Sequence, residues 1–185
     1  MTLVELMTVV AIIAIFAVLA GPSFREFFEK ARVRGAADSI TALLSNARAE
    51  AVKRDRNVAI AVGGTTDAWC VGANMAADPA NAGDPIPQAV ACDCAAGTCA
   101  LGDAPAVVFG SGFRGVSVSA VGDSVIFSSK LGTLDIASIA GFDPLAIQLT
   151  SESGHFSLQV GVSALGHVRT CIPSGFPSVS GYSEC

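Results

Sequence analysis

Six cysteines, two histidines, one glycine-rich hexapeptide and one glutamate inside an apolar run are the residues whose chemistry demands an account. Cys70, Cys92, Cys94, Cys99, Cys171 and Cys185 all follow the apolar segment that opens the chain. Cys70 with the Cys92-x-Cys94-x4-Cys99 cluster has the residue types to hold zinc as thiolates. Zinc sites, however, usually space their first ligand pair by two to four residues, and thiols outside the cytoplasm oxidise. Disulfides are the expected state. Cys171–Cys185 is the preferred pair because it closes a short loop and ties down the C-terminus, worth about 3 kcal/mol in the chain-entropy picture. Cys70 is expected to bond one of Cys92, Cys94 or Cys99, leaving the other two for each other; spacing alone does not choose.

Gly110-Ser111-Gly112-Phe113-Arg114-Gly115 fits the dinucleotide fingerprint by letter. That motif needs a helix opening at its end to receive a pyrophosphate, whereas Val116-Ser117-Val118-Ser119 alternates as a strand. The hexapeptide is a turn between strands. His155 and His167 lie near no residue suggesting a nucleophile, and no paired carboxylates, phosphate loop or zinc-protease motif occurs. No catalytic residue, cofactor or metal is expected, and the chain does not read as an enzyme.

The 185 residues are 51% apolar, 15% charged and 6% aromatic. That composition excludes a disordered, solvating chain. Residues 1–56 hold eight basic and six acidic side chains, while residues 57–185 hold three and ten, so the net charges are +2 and −7. Two differently built parts meet near residue 56, and phosphate attraction to the acidic part is weak.

Residues 1–24 contain one charged side chain, Glu5. About 20 apolar residues at ~1.5 Å rise span a ~30 Å hydrocarbon core, so this run predicts a transmembrane helix. The first cations, Arg25, Lys30, Arg32 and Arg34, follow it. By the positive-inside bias they would pull the C-terminal side toward the cytoplasm, and a basic leader removed before Met1 would reverse that. The chain is therefore expected to start at a processing site. An acid in an apolar helix is a functional hypothesis by default. Glu5 either snorkels to the headgroups or meets a cation, and a suitable one is the Met1 amine of another copy shifted along the axis.

The run Thr2-Leu3-Val4-Glu5-Leu6-Met7, followed by Thr8-Val9-Val10-Ala11-Ile12-Ile13-Ala14-Ile15, resembles the mature N-terminus of type IV pilins and type II secretion pseudopilins. Met1 stands where that superfamily usually has phenylalanine. The resemblance implies that a prepilin peptidase removes a short leader, that Met1 is then N-methylated, and that Glu5 drives docking of subunits on an assembly platform. It also implies that the helix near Pro22 can melt on assembly; from the residues alone, Gly21-Pro22 predicts a kink or opening.

Beyond Ser23, Val33, Ala36, Ala37, Ile40, Leu43, Leu44, Ala47 and Ala51 recur at spacings of three and four, an amphipathic helix continuing to about residue 56. Phe24, Phe27 and Phe28 cluster below that stripe, either as helix–head packing or as a meeting place for subunits. From residue 57 the period changes. Strands are expected at 58–62, 69–71, 107–109, 116–121, 125–128, 147–151, 156–162 and 168–171, with a long irregular stretch at 72–105. The fold class is α+β: a pilin fold, with a long N-terminal helix packed on an antiparallel β-sheet head. The three parts are residues 1–24, 25–56 and 57–185.

The helix end Asn46-Ala47-Arg48-Ala49-Glu50-Ala51-Val52-Lys53-Arg54, a strand and Trp69 are similar to the GspH/FimT class of pilins. So are Phe127…Gly132 and Gly166-His167-Val168-Arg169-Thr170-Cys171…Gly181-Tyr182…Cys185. Some members of that class capture DNA through a Gly-Arg-x-Arg; here Gly166-His167-Val168-Arg169 keeps one arginine, so His167 and Arg169 are weak DNA-contact candidates and nucleic acid is not an expected partner. The expected role is a structural subunit of a type IV pilus-like filament, held in the inner membrane before assembly and in an extracellular filament after it. The alternatives are a periplasmic secretion pseudopilin driving exoprotein export, and a minor tip pilin for adhesion or DNA uptake.

Overall fold

A single helix, α1 (Leu3–Lys53), organises the chain. The computed structural model describes residues 2–78, 87–121, 124–135 and 145–185, and the side chains of residues 17–23 lie outside the described set. α1 does not open at Gly21-Pro22, contrary to one expectation from that dipeptide. It stops at Lys53 rather than at residue 56. The Arg54 amide still bonds back to Glu50, but Asp55 enters the left-handed region at φ 50°, which no following helical residue can use.

Among the described residues ten strands follow: β1 (Val58–Gly64), β2 (Trp69–Met75), β3 (Ala100–Leu101), β4 (Ala104–Pro105), β5 (Val107–Phe109), β6 (Val116–Val121), β7 (Ser124–Phe127), β8 (Ala146–Ser151), β9 (Ser157–Val162) and β10 (Val168–Cys171). The head is two four-stranded antiparallel sheets rather than one, ordered β5-β2-β1-β7 and β10-β9-β8-β6, with β3–β4 as a small hairpin. The helix period and the strand period meet in a shared core. Ile40, Leu44 and Ala47 of α1 pack with Val58 and Ile60 of β1, Val71 of β2, Ile147 and Leu149 of β8, and Leu158 and Val160 of β9. All eight residues of the apolar stripe are buried.

The first sheet is covered on both faces. Alternate positions of β1 point away from α1, where Ala59 meets Ala76 and Ala89. Farther along, Cys70, Cys94 and Cys99 form a second small cluster. Cys70 bonds Cys94, Cys92 bonds Cys99 and Cys171 bonds Cys185, so among the described residues no group of cysteines stands ready for a metal. Gly72 makes room for the strap: a Cβ there would lie 2.3 Å from Cys99 Sγ. The segment 87–101 thus lies across the outer face, which is why β1 is buried from Val58 to Ala61 and β2 nearly throughout.

The glycine hexapeptide forms a 3-10 turn at Gly110–Gly112 and leads into β6 with no helix behind it. Its place is structural. Trp69 stacks on Phe113 at 6.1 Å, donates from Nε1 to the Val116 carbonyl at 2.8 Å, and leaves no space for a side chain at Gly110. The C-terminal tail is fastened to α1: Tyr182 donates to Asp38 Oδ1 at 3.0 Å, and Arg34 Nη2 donates to the Ser180 carbonyl at 2.6 Å. Burial, reinforced by Asp38, raises the Tyr182 phenol above its ordinary pKa.

Candidate assembly surface

The N-terminal stretch of α1 touches no part of the head that would hide it. Leu3, Val4, Leu6, Met7, Val9, Val10, Ile12, Ile13, Ile15 and Phe16 are all exposed, Leu3 to 77%. A helix apolar on every side is stable only when surrounded by lipid or by other helices. Among the described residues no helix is long and apolar enough to cross a membrane, and the side chains of 17–23, including Pro22, are not among those described. Met1 also lies outside the described residues.

Glu5 sits in a reciprocal cap that sequence reasoning passes over, although the signal Thr2-x-x-Glu5 was legible. The Glu5 amide donates to Thr2 Oγ1 at 3.3 Å and the Thr2 amide to Glu5 Oε2 at 3.4 Å. Both contacts are long for hydrogen bonds and exposed, so the carboxylate is held at the helix start yet remains reachable.

Where the stalk enters the head, a polar cluster replaces the apolar stripe. Glu29 is only 8% exposed. It accepts from Arg25 Nε at 3.3 Å and from the Ser153 hydroxyl, in the turn between β8 and β9. Lys30 Nζ lies 4.5 Å over the Phe156 ring, and His155 meets the edge of that ring at 4.9 Å. Phe24, Phe27 and Phe28 project just below, all exposed, with Phe27 and Phe28 edge-to-face at 5.8 Å. Helix–head packing therefore does not account for them.

The Ser153 hydrogen bond first, and Arg25 after it, hold the Glu29 carboxyl below its ordinary value of 4.5, against the opposing effect of burial. A depressed carboxylate stabilises the fold above its unfolded pKa, and that contribution is lost as pH falls through the folded value. The thermal stability of the wild type is therefore expected to fall below about pH 4.5 more steeply than that of Ser153→Ala. Parallel pH profiles of the two would contradict this.

On the opposite end of the head, α1 meets two glycine turns. Arg48 Nε donates to the Gly132 carbonyl at 3.0 Å and its Nη2 to the Leu165 carbonyl at 3.2 Å. Gly166 has φ 76°, and a Cβ there would fall 1.9 Å from the Gly132 oxygen. The two turns approach this closely because residue 166 is glycine, whereas a Cβ at Gly132 would instead press on Arg48 and Val52 of α1 at about 3.0 Å. Gly166→Ala is expected to cost about 1–2 kcal/mol from backbone conformation alone, plus the clash; an unchanged melting temperature would refute the packing argument. His167 lines the resulting groove, whereas Arg169 stands exposed on β10, its neighbour Thr170 facing Thr41 of α1 at 3.0 Å.

Residues 36–166 match the family described as Type II transport protein GspH. The chain belongs to the GspH family. It is thereby a pilin-like filament subunit with an α+β pilin fold. The matched region begins inside the buried stripe of α1 and ends at Gly166, so it contains Trp69, Arg48 and both glycine turns. Two crystal forms of the type IV minor pilin FimU of Pseudomonas aeruginosa (strain PAO1) are similar in structure to this GspH-family chain. One has 18% identity and a TM-score of 0.46, covering 77% of this chain and 90% of that one; the other has 15% and 0.44, covering 74% and 90%. No curated protein sequence matches.

Proposed function

We propose that this GspH-family chain is a non-catalytic structural subunit that enters the inner membrane after leader removal and polymerises into a type IV pilus-like filament through α1. The observation that supports this most strongly is the uncovered apolar half of α1 with Glu5 near its start. At about 25 cal/mol per Å² of apolar surface, stacking such helices side by side supplies a large driving force for assembly. In the filament Glu5 exchanges its local Thr2 contacts for the N-methylated Met1 amine of a neighbour, and the helix near Pro22 adapts. The prepilin peptidase and the assembly platform are the partners that act before polymerisation.

The family description favours a second reading, a periplasmic pseudopilus that drives exoprotein export. Deletion of the chain separates the two. Loss of surface filaments with normal exoprotein levels supports the pilus; a secretion defect with intact filaments supports the pseudopilus. A third role, capture of DNA or a surface by a filament tip, requires the soluble head to shift DNA in a salt-sensitive way, and the net charge of −7 on residues 57–185 predicts no shift at physiological salt.

A further inference from the structure

Among the described residues, two clusters of exposed apolar side chains stand out once the N-terminal half of α1 is set aside. One is the ledge of Phe24, Phe27 and Phe28, one helix face at spacings of three and four. The other is a groove of about 420 Å³ on the far part of the head, lined by Arg48, Ala49 and Val52 of α1 and by Leu131, His167 and Val168. Leu131 is 73% exposed, and Leu165 and Val52 beside it are exposed as well. Leu131 and Leu165 are two of the four large exposed apolar residues described in residues 57–185, and they meet Val52 of α1 at one place. Arg48 and the Gly132–Gly166 approach give the groove a fixed frame.

We propose that this groove receives the Phe24–Phe27–Phe28 ledge of a second copy of the chain, an inference that rests on the filament reading above. The ledge and the helical wall of the groove both lie on α1, far apart along it, so a chain cannot fill its own groove. The contact must be heterologous, and heterologous contacts that do not close generate helical polymers. The two surfaces are separated by some 22 residues of helix, so the geometry demands a neighbour displaced about 33 Å along α1. Size fits too. A cavity of about 150 Å³ accommodates benzene, so the groove has room for two phenyl rings. Charge fits in the same orientation. Glu26, between the first two phenylalanines, is exposed and 4.0 Å from Lys30, whereas Arg48 lines the groove and the exposed Lys130 precedes its Leu131 in the chain. Beside residues 57–185 of net −7, the Arg48 cation in the groove suits a carboxylate.

The test uses the full chain in cells, with the photoreactive residue benzoylphenylalanine placed at position 131, reciprocally at 27, and at position 12 as a reporter of helix stacking. The expected result is a chain-to-chain adduct from position 131 whose linked peptide contains residues 24–28, and one from position 27 whose linked peptide contains residue 131 or 165. Leu165→Asp should lower the yield from position 27 about tenfold or more, the effect of losing one buried leucine. If position 12 gives chain-to-chain adducts while 131 and 27 link elsewhere or not at all, the groove assignment is overturned and the filament reading stands. An adduct from 131 to the stalk of a different protein overturns the second-copy assignment. If position 12 also gives no adduct between copies, the filament reading fails and the groove assignment with it.

Discussion

Glu5→Val is expected to leave the chain in the membrane while lowering its share in filaments by about a hundredfold or more. Removing one member of a buried ion pair costs about 3–5 kcal/mol, because the other charge stays buried without compensation. At about 1.4 kcal/mol per decade that is about two to three and a half decades in the assembly equilibrium. Glu5→Gln sharpens the point. Its amide oxygen can still accept from the Thr2 amide, so the local cap seen at 3.4 Å survives while the charge is gone. Blots of sheared filaments against membranes decide the matter. If Glu5→Gln assembles normally, Glu5 acts as a cap and the proposed pairing with a neighbour's Met1 amine is wrong.

The second large effect lies in the head. Phe127 is fully buried at the end of β7, opposite Val58 of β1 and bridged to Leu134. Truncating a phenylalanine in such a site costs about 3–5 kcal/mol. For a chain of this size each kcal/mol lowers the melting temperature by about 2–4 °C, so Phe127→Ala should melt some 10 °C lower. Because β7 leads into the turn that carries Leu131 and Gly132, the same variant should loosen the groove. Circular dichroism of a fragment beginning at residue 24 measures the shift; a loss under about 3 °C would mean that the core repacks around the missing ring.

What the sequence made legible follows its periodicities. The eight stripe residues of α1 recur every three or four positions, and all eight are buried. The β-branched runs fall on eight of the ten strands, with bounds shifted by a few residues at most except in β2, which continues to Met75. The hairpin β3–β4 escaped because two residues per strand are too few to alternate; backbone bonds such as Ala106 N–H to the Cys99 carbonyl at 3.1 Å hold it beside the disulfides. The division into two sheets was not legible either, since β1 takes β7 as a partner some sixty residues away and no local pattern encodes that choice.

The small residues of β1 and β2 mislead in an instructive way. Gly72 is a poor strand residue by propensity, yet its missing Cβ is what admits Cys99. Similarly, the groove is assembled from Arg48, Gly132 and Gly166, far apart in the chain and brought together only by the fold. Glycine in a quoted motif hinted at a close approach without saying to what. At Glu5 the local signal was complete in the sequence: Thr2, three residues before it, forms the reciprocal cap.

Mass spectrometry of filaments sheared from the cell surface tests the central claim most directly, read for the abundance of this chain and the mass of its N-terminal peptide. The account predicts that the chain is present and that its first peptide begins at Met1 with an added methyl group. Filaments that lack the chain, from cells whose membranes contain it, would contradict a place in a surface pilus and hand the lead to the secretion pseudopilus.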